Sequence, residues 1–184
     1  MTAPSSLPDL DLRSLVRTIA DFPKAGIQFR DITTLISDAD GFAEAVRRLC
    51  VRAEAYQPDV IVAVEARGFI FGAAMALHMG LGLVPVRKAG KLPGATIGID
   101  YALEYGTDRL EIHKGAISSG QRVVLIDDLL ATGGTVLAAY SLVQSLGADI
   151  AAALFVIDLP DLGGSKRLAD AGLSCETLIE FEGD

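Results

Sequence analysis

The strongest constraint on the fold is an unbroken apolar run at residues 60–64, Val-Ile-Val-Ala-Val. A strand with one exposed face alternates apolar and polar residues, so this run predicts a strand covered on both faces, as in a parallel sheet. Further candidate strands alternate with helical patterns after it, the strands at 83–86, 123–126 and 152–157 and the helices at 69–79 and 136–146. This order predicts an α/β fold, a mostly parallel twisted sheet flanked by helices.

Two amphipathic helices are expected before this sheet begins. Apolar residues recur at helical spacing over 12–19, with Asp9 or Asp11 as a candidate N-cap and Pro23 beyond the end. A second apolar stripe covers 42–53. Each stripe predicts a helix with one face against the core.

Residues 96–105 and 110–113 follow a different pattern, in which apolar and polar residues partly alternate around Gly106-Thr107-Asp108. This predicts a hairpin that projects from the sheet. Ligands of open parallel sheets bind beyond the carboxyl ends of the strands, so the loops after Val64, Val86 and Ile126 are the expected site.

Length and composition restrict the possible classes of protein. The chain has 184 residues, which suits a single domain spanning 1–184, and its net charge of −8 disfavours binding to nucleic acid or to anionic membranes. The uncharged stretch 68–86 is broken by glycines and a proline, which favours a helix and a strand over a membrane span. The sequence has two cysteines, Cys50 and Cys175, and their wide separation argues against a disulfide framework. A protein without disulfides suits the reducing cytoplasm.

The candidate strand at 123–126 ends in Asp127-Asp128, and Thr132-Gly133-Gly134-Thr135 then opens a helix. Free N–H groups at a helix start attract phosphate, and glycines allow close approach. Acids beside such a loop accept hydrogen bonds from sugar hydroxyls and hold Mg²⁺ through water. The segment predicts a ribose phosphate site. There is no Walker A loop and no dinucleotide-binding fingerprint, so nucleoside triphosphates and dinucleotides are less favoured.

A second indication of an anion site is a local excess of positive charge. Between Ala66 and Lys91 the sequence has no acid and four bases, Arg67, Arg87, Lys88 and Lys91. Two of these bases follow a predicted strand directly. The cluster therefore predicts a strongly anionic ligand.

The acid pair and its loop resemble the phosphoribosyl pyrophosphate signature of the type I phosphoribosyltransferases. Four further segments are similar to the adenine-specific branch of that family, at 22–31, 65–69, 87–93 and 103–107. The resemblance implies a cytoplasmic, homodimeric, Mg²⁺-dependent pentosyltransferase of purine salvage. Such an enzyme transfers the phosphoribosyl group to adenine, giving AMP and pyrophosphate, with a flexible loop or hairpin closing over the active site.

The resemblance also implies roles for individual residues. Phe29 and Leu129 would form walls for the base and the backbone of Gln28 and Arg30 would read its edge, so that 1–35 contribute the base-binding segment. Glu104 would exchange a proton with the purine, Tyr105 would order the loop, and Arg67 would stabilise the departing pyrophosphate. The remaining expected substrate contacts are Arg87, Lys88, Lys91, Asp127, Asp128, Ala131, Thr132, Gly133, Gly134 and Thr135, with Asp127 and Asp128 also holding Mg²⁺ through water.

Two alternatives remain open from the sequence. Relatives that use xanthine or orotate share the acid pair and the threonine–glycine loop, so the base is less constrained than the sugar phosphate. Gln28 also stands where the family commonly has an aliphatic residue. The other alternative is a regulatory protein that senses the sugar phosphate while binding RNA or DNA, against which the acidic charge and Glu104 both argue.

Overall fold

A computed structural model describes residues 10–102 and 106–183 of the chain. Its strands are β1 (Arg17–Ala20), β2 (Gln28–Asp31), β3 (Val60–Val64), β4 (Gly82–Lys88), β5 (Thr96–Ala102), β6 (Thr107–His113), β7 (Arg122–Leu130), β8 (Asp149–Asp158) and β9 (Cys175–Glu180). Its α-helices are α1 (Thr33–Ser37), α2 (Ala39–Glu54), α3 (Gly68–Met79), α4 (Gly134–Gln144) and α5 (Gly164–Asp170), with short 3₁₀ helices at Leu12–Leu15 and Pro160–Leu162.

Seven strands form one central sheet in the spatial order β5-β6-β4-β3-β7-β8-β9. The five strands from β4 to β9 in that order are parallel, whereas β6 is antiparallel to both β4 and β5. A separate antiparallel ribbon consists of β1 and β2. The predicted α/β class and the mostly parallel sheet are confirmed.

Helices on both faces of the sheet account for the unbroken apolar run in β3. Ile61 and Ala63 belong to the cluster that includes residues of α2 and α3, whereas Val60, Val62 and Val64 belong to the cluster that includes residues of α4. Because alternate residues of a strand point to opposite faces, both sets must be apolar.

The prediction of a helix over 12–19 is wrong. The chain makes one short 3₁₀ helix, capped by the Asp11 side chain on the Arg13 N–H, and then turns into β1. From Arg17 onward its partners lie on β2, where Ile19 is opposite Phe29. The pairing with β2 overrides the local helical spacing, since Thr18 and Ile19 are β-branched and suit a strand.

Two further expectations need correction. Strand β7 does not end at Ile126 but continues through the acid pair to Leu130, because Asp127 and Leu129 pair with Phe155 and Ile157 of β8. The hairpin of β5 and β6 is present, but it extends the sheet edge rather than only projecting from it, since Glu111 pairs with Arg87 at the end of β4. Strands β2 and β9 and helices α1 and α5 were not anticipated.

The uncharged stretch 68–86 is divided between α3 and β4, as its glycines and proline predict. Within the described ranges, no helix has the length and apolar character needed to cross a bilayer.

Helix α3 packs closely on the sheet because Gly72 has no side chain. A Cβ at this position would lie 2.6 Å from Ala63 Cβ and 3.0 Å from Ile126 Cγ2. Gly68 is similarly placed, with 2.8 Å separating its hypothetical Cβ from Asp127 Oδ1. The first turn of α3 is thereby brought against the acid pair of β7.

We therefore predict that Gly72→Ala lowers the free energy of unfolding by about 1–3 kcal/mol, because the added methyl overpacks the interface between α3 and the sheet. Chemical denaturation would measure the change. Gly82→Ala is a matched control, since its Cβ would have one ordinary contact, 3.8 Å from Val60 Cγ2. Equal stability of the two variants would contradict the prediction.

Candidate active site

The loop between β7 and α4 forms a small cavity at the carboxyl edge of the sheet. The cavity has a volume of about 100 Å³, and its lining includes Asp127, Leu129 and all of residues 131–135. Gly133 precedes α4 with φ +78°, a conformation that favours glycine, and no side chain of the described residues caps the helix there. The uncapped N-terminus of α4 therefore offers backbone donors suited to a phosphate group.

Helix α5 supports this loop from behind. Gly164 lies so close to the Ala131 carbonyl that a Cβ would overlap it, and a Cβ on Gly133 would lie 3.0 Å from Leu168 Cδ1. Arg167 Nη1 donates to the Thr132 carbonyl at 2.7 Å. This support was not predicted from the sequence, although Gly163-Gly164 is a second turn of small residues there.

The two acids of β7 have different environments. Asp128 is buried and pairs with the Arg67 guanidinium at the start of α3. Asp127 Oδ1 accepts from the Asp128 N–H at 2.8 Å. Burial, followed by the charge of Asp128, raises the pKa of Asp127 well above its ordinary value.

A second cavity, of about 260 Å³, adjoins the loop cavity. The two share Asp127, Leu129 and Thr135. The remaining lining of the second cavity comes from the turn after β3, the end of β4, the hairpin and the acid pair: Glu65, Ala66, Arg67, Lys88, Tyr101, Asp108, Leu110 and Asp128. Tyr101 and Asp108 were not anticipated, because nothing in the sequence indicates which hairpin residues face β7.

The four predicted cations are not equally placed. Arg67 and Lys88 line the second cavity, where Lys88 Nζ lies 3.0 Å from Asp108 Oδ2 and the hydrogen bond to Asp108 raises the pKa of Lys88. Arg87 instead donates through Nε and Nη2 to the carboxylate of Glu65. Lys91 is exposed on the following turn. Acids from other segments thus balance three of the four charges.

Glu65 is the acid that organises the end of β4. Its Oε2 accepts from the Lys88 N–H at 3.0 Å as well as from Arg87 Nε at 3.1 Å. Burial alone would raise the pKa of Glu65, but these hydrogen bonds outweigh it and hold the pKa below the ordinary value. The peptide bond from Glu65 to Ala66 is cis.

A third and mainly apolar cavity, of about 330 Å³, lies against the β1–β2 ribbon. Its lining includes Ile19, Phe22, Phe29 and Ile32, and the Phe22 and Phe29 rings meet edge to face with centroids 5.1 Å apart. Arg67 lines both this cavity and the second one. Leu129, the other expected wall for a base, lines the first and second cavities instead.

Gln28 and Arg30, expected to contact a base through their backbone, flank Phe29 on β2. Strand β2 ends at Asp31, whose carboxylate accepts from the Thr33 hydroxyl and N–H and pairs with Arg17. The Thr33 hydroxyl, followed by Arg17, lowers the pKa of Asp31 to about 2.

The predicted residues Glu104 and Tyr105 lie outside the described residues. Strand β5 ends just before them at Ala102, whose carbonyl oxygen would lie 3.6 Å from a Cβ on Gly134. The neighbouring segment between Lys88 and Thr96 is the candidate for the flexible loop that the family resemblance implies. It is joined to the hairpin by the Gly90 N–H, which donates to Glu111 Oε2 at 3.0 Å, and by a hydrogen bond of 2.8 Å between His113 Nε2 and the Pro93 carbonyl. Its mobility stays a prediction.

An open α/β sheet with a helix N-terminus, an acid pair and an apolar cavity at its carboxyl edge defines a class of protein suited to nucleotides and sugar phosphates. Residues 33–182 match the family model described as a phosphoribosyl transferase domain, and the chain therefore belongs to the phosphoribosyltransferase family.

Several proteins similar to this chain come from one branch of that family. The chain is 76% identical over 177 residues to an adenine phosphoribosyltransferase of Sphingopyxis alaskensis, covering 96% of each chain. The crystal structure of adenine phosphoribosyltransferase from Thermoanaerobacter pseudethanolicus superposes with a TM-score of 0.89 at 49% identity, over 93% of this chain and 98% of that one. The adenine phosphoribosyltransferase of Saccharomyces cerevisiae, complexed with adenine and an imino-altritol bisphosphate, gives a TM-score of 0.86 at 38% identity, over 91% of this chain and 96% of that one. The fold is that of the type I phosphoribosyltransferases.

For the loop cavity, we predict that Gly134→Ala weakens binding of ribose 5-phosphate at least about tenfold, because the methyl group occupies space that a phosphate needs beside the N–H groups. The protein itself accommodates this Cβ, whose nearest neighbours would be Ala102 O at 3.6 Å and Thr132 Oγ1 at 3.9 Å. Calorimetric titration would measure the affinity, with Gly82→Ala as the matched control. Undiminished affinity in the loop variant would refute the phosphate role of the loop.

Proposed function

We propose that this protein transfers the phosphoribosyl group of phosphoribosyl pyrophosphate to adenine, producing AMP and pyrophosphate. It is then an adenine-specific pentosyltransferase that salvages a purine base. The family match and the 76% identical adenine phosphoribosyltransferase support this assignment.

The observation that carries the proposal is the order of the three adjoining cavities. The loop cavity is lined by a helix N-terminus, the second by acids and cations, and the third by aromatic and aliphatic side chains. The loop cavity suits the 5-phosphate of the sugar, the second cavity suits the ribose with its pyrophosphate, and the third suits a planar base. Shared lining residues join the first cavity to the second, and Arg67 joins the second to the third.

In the proposed reaction the pyrophosphate leaves the anomeric carbon with developing negative charge while the sugar becomes positive. Arg67 and Lys88, which line the second cavity, stabilise the departing oxygens. Arg87 and Lys91 lie on the same segment and add positive charge nearby. Removing one such donor typically lowers the rate by about 10² to 10³.

The Asp127–Asp128 pair has two proposed roles. Its carboxylates face the cavity assigned to the sugar and accept hydrogen bonds from ribose hydroxyls. Among the described residues, no three His, Cys, Asp or Glu side chains are grouped as metal ligands. Two carboxylates, one of them already paired with Arg67, fit a Mg²⁺ ion that arrives with the pyrophosphate and keeps its waters. Such an ion neutralises charge on the leaving group.

The third cavity is the proposed base site. The edge-to-face pair of Phe22 and Phe29 gives it the flat apolar surface that adenine requires. The backbone of Gln28 and Arg30 reads the edge of the base, and Leu129 covers it from the ribose side. Glu104 exchanges a proton with the purine and Tyr105 orders the hairpin, both by resemblance to the family.

The assignment is tested by incubating the protein with phosphoribosyl pyrophosphate, Mg²⁺ and one base at a time. We expect kcat/KM for adenine to exceed that for guanine, hypoxanthine, xanthine and orotate by at least about 10³, because a site built on hydrogen bonds rejects bases with the wrong pattern of donors and acceptors. Chromatography of the nucleotide product would measure each rate. A higher kcat/KM with another base would overturn the choice of adenine.

We further propose that the enzyme is a homodimer that pairs through α3. This helix carries no Asp, Glu, Lys or Arg between Gly68 and Met79, and a helix that is apolar on all sides is normally covered on all sides. Ile70, Ala73 and Leu77 nevertheless form an exposed stripe, in which Leu77 is 86% exposed. A second copy of the same stripe, related by a two-fold axis, covers this surface.

We predict that Leu77→Glu produces a monomer, because it places two carboxylates within the two-fold contact. Analytical ultracentrifugation at micromolar concentration would measure the oligomeric state. Val51→Glu is the matched control, since Val51 is also a large exposed apolar residue but lies on α2. A wild-type protein that sediments as a monomer would refute this interface.

The chain is further proposed to act in the cytoplasm as a single phosphoribosyltransferase domain. Cys50 and Cys175 are both free thiols, which is consistent with a reducing compartment. Burial raises the pKa of each thiol to about 11.

A further inference from the structure

The two faces of the β1–β2 ribbon have different surroundings. Cross-strand partners share a face, so Ile19 and Phe29 lie on one side and Thr18 and Arg30 on the other. Ile19 and Phe29 on the first side line the apolar cavity proposed to hold the base, and part of Arg30 also lines this cavity. The second side is held by the C-terminal end of the chain.

Arg30 makes this contact through the two terminal nitrogens of its guanidinium group, whereas its buried Nε has no hydrogen-bond partner among the described residues. Its Nη1 donates to Thr18 Oγ1 at 2.7 Å, and its Nη2 donates to the carbonyls of Glu182 at 3.0 Å and Gly183 at 2.9 Å. The same group lies 4.7 Å from the centroid of the Phe181 ring, within range of a cation–π interaction. One side chain thus ties the ribbon to residues more than 150 positions away in the sequence.

The C-terminal end is itself fixed to the main sheet. Phe181 is buried in the core cluster beside α2, and its N–H donates to the Asp158 carbonyl at 3.0 Å. The Gly183 N–H donates to Asp161 Oδ2 at 2.8 Å, in the turn that follows β8. The contacts therefore run without a break from the end of β8, through residues 181–183, to Arg30 and the ribbon.

We propose that residues 181–183, here called the C-terminal strap, position the base-binding ribbon, and that Arg30 is the positioning residue through which they act. The proposal rests on the proposed function, because it takes the ribbon as the wall against which adenine binds. The strap holds Phe29 at a fixed distance from Arg67, which lines both the base cavity and the cavity assigned to the sugar. Its loss lets the ribbon move away and enlarges the base site without changing the phosphate loop.

The kinetic test separates the two substrates. Arg30→Met, which retains the length of the side chain and removes its charge and hydrogen bonds, is expected to raise KM for adenine about tenfold. KM for phosphoribosyl pyrophosphate and kcat are expected to stay within about twofold of the wild type. Arg30→Lys, which keeps the charge and one donor position, should restore part of the adenine affinity.

The matched control is Arg13→Met. The Arg13 guanidinium also lies over the Phe181 ring, 4.8 Å from its centroid, but its contacts do not include β2. We expect this variant to keep both KM values. A parallel rise of both KM values in Arg30→Met, or an equal rise in adenine KM in Arg13→Met, would overturn the proposal.

A second measurement does not depend on catalysis or on the substrate. Asp161→Ala removes the acceptor of the Gly183 N–H and leaves Arg30 in place, so it loosens the strap even where the Arg30 variant fails to fold. Hydrogen exchange of the β2 amides in the substrate-free protein is expected to quicken at least about fivefold in this variant, while β7 amides are unchanged. Unchanged β2 exchange would refute the strap. Faster exchange in a protein whose wild type makes no AMP would refute the proposed function alone.

Discussion

The geometry of the site depends on the unequal lengths of neighbouring parallel strands. Strand β3 ends at Val64, and its last partner on β7 is Ile126, whereas β7 continues to Leu130 along β8 alone. The four extra residues carry the acid pair and lead into the loop between β7 and α4. On the side that β3 leaves open, the turn after β3 brings Arg67 to Asp128. Paired main-chain hydrogen bonds therefore hold the acids rigidly, rather than a flexible loop.

The electrostatics of the site depend on pairing within the chain. A segment with four bases and no acid suggests an open cationic surface, but Glu65, Asp108 and Asp128 neutralise Arg87, Lys88 and Arg67 respectively. Each acid comes from a different strand or turn. A bound anion must therefore compete with carboxylates for these cations, so its affinity depends on what else neutralises the acids. A divalent cation has that effect.

Much of the fold was predictable because its signals are local and periodic. Local sequence alone predicts the apolar strand β3, the amphipathic helix α2 and the loop of small residues after β7. Strand β1 was missed because its helical spacing is outweighed by pairing with β2. The extension of β7 could not be read from Asp127 and Asp128 either, since two acids normally mark the end of a strand and only the register with β8 accounts for them.

The site was predictable to a similar degree. The residues that carry a motif, such as the acid pair and Thr132 to Thr135, are brought together as expected. Tyr101, Asp108 and Arg167 were missed because no local motif marks them. Each belongs to a distant segment, and only the fold directs its side chain towards the site. Arg30 was expected to act through its backbone, and its side chain is engaged elsewhere because residues 182 and 183 provide the acceptors.

The contact between Arg30 and the last residues of the chain also has a consequence for biosynthesis. The ribbon is translated before its support, because more than 150 residues separate Arg30 from the carbonyl groups that hold it. Until residues 181–183 have been made, the ribbon that carries Phe22 and Phe29 therefore lacks this support, and a nascent chain released earlier exposes the aromatic pair to chaperones or proteases. Synthesis of residues 181–183 thus completes the support of a segment that was translated much earlier.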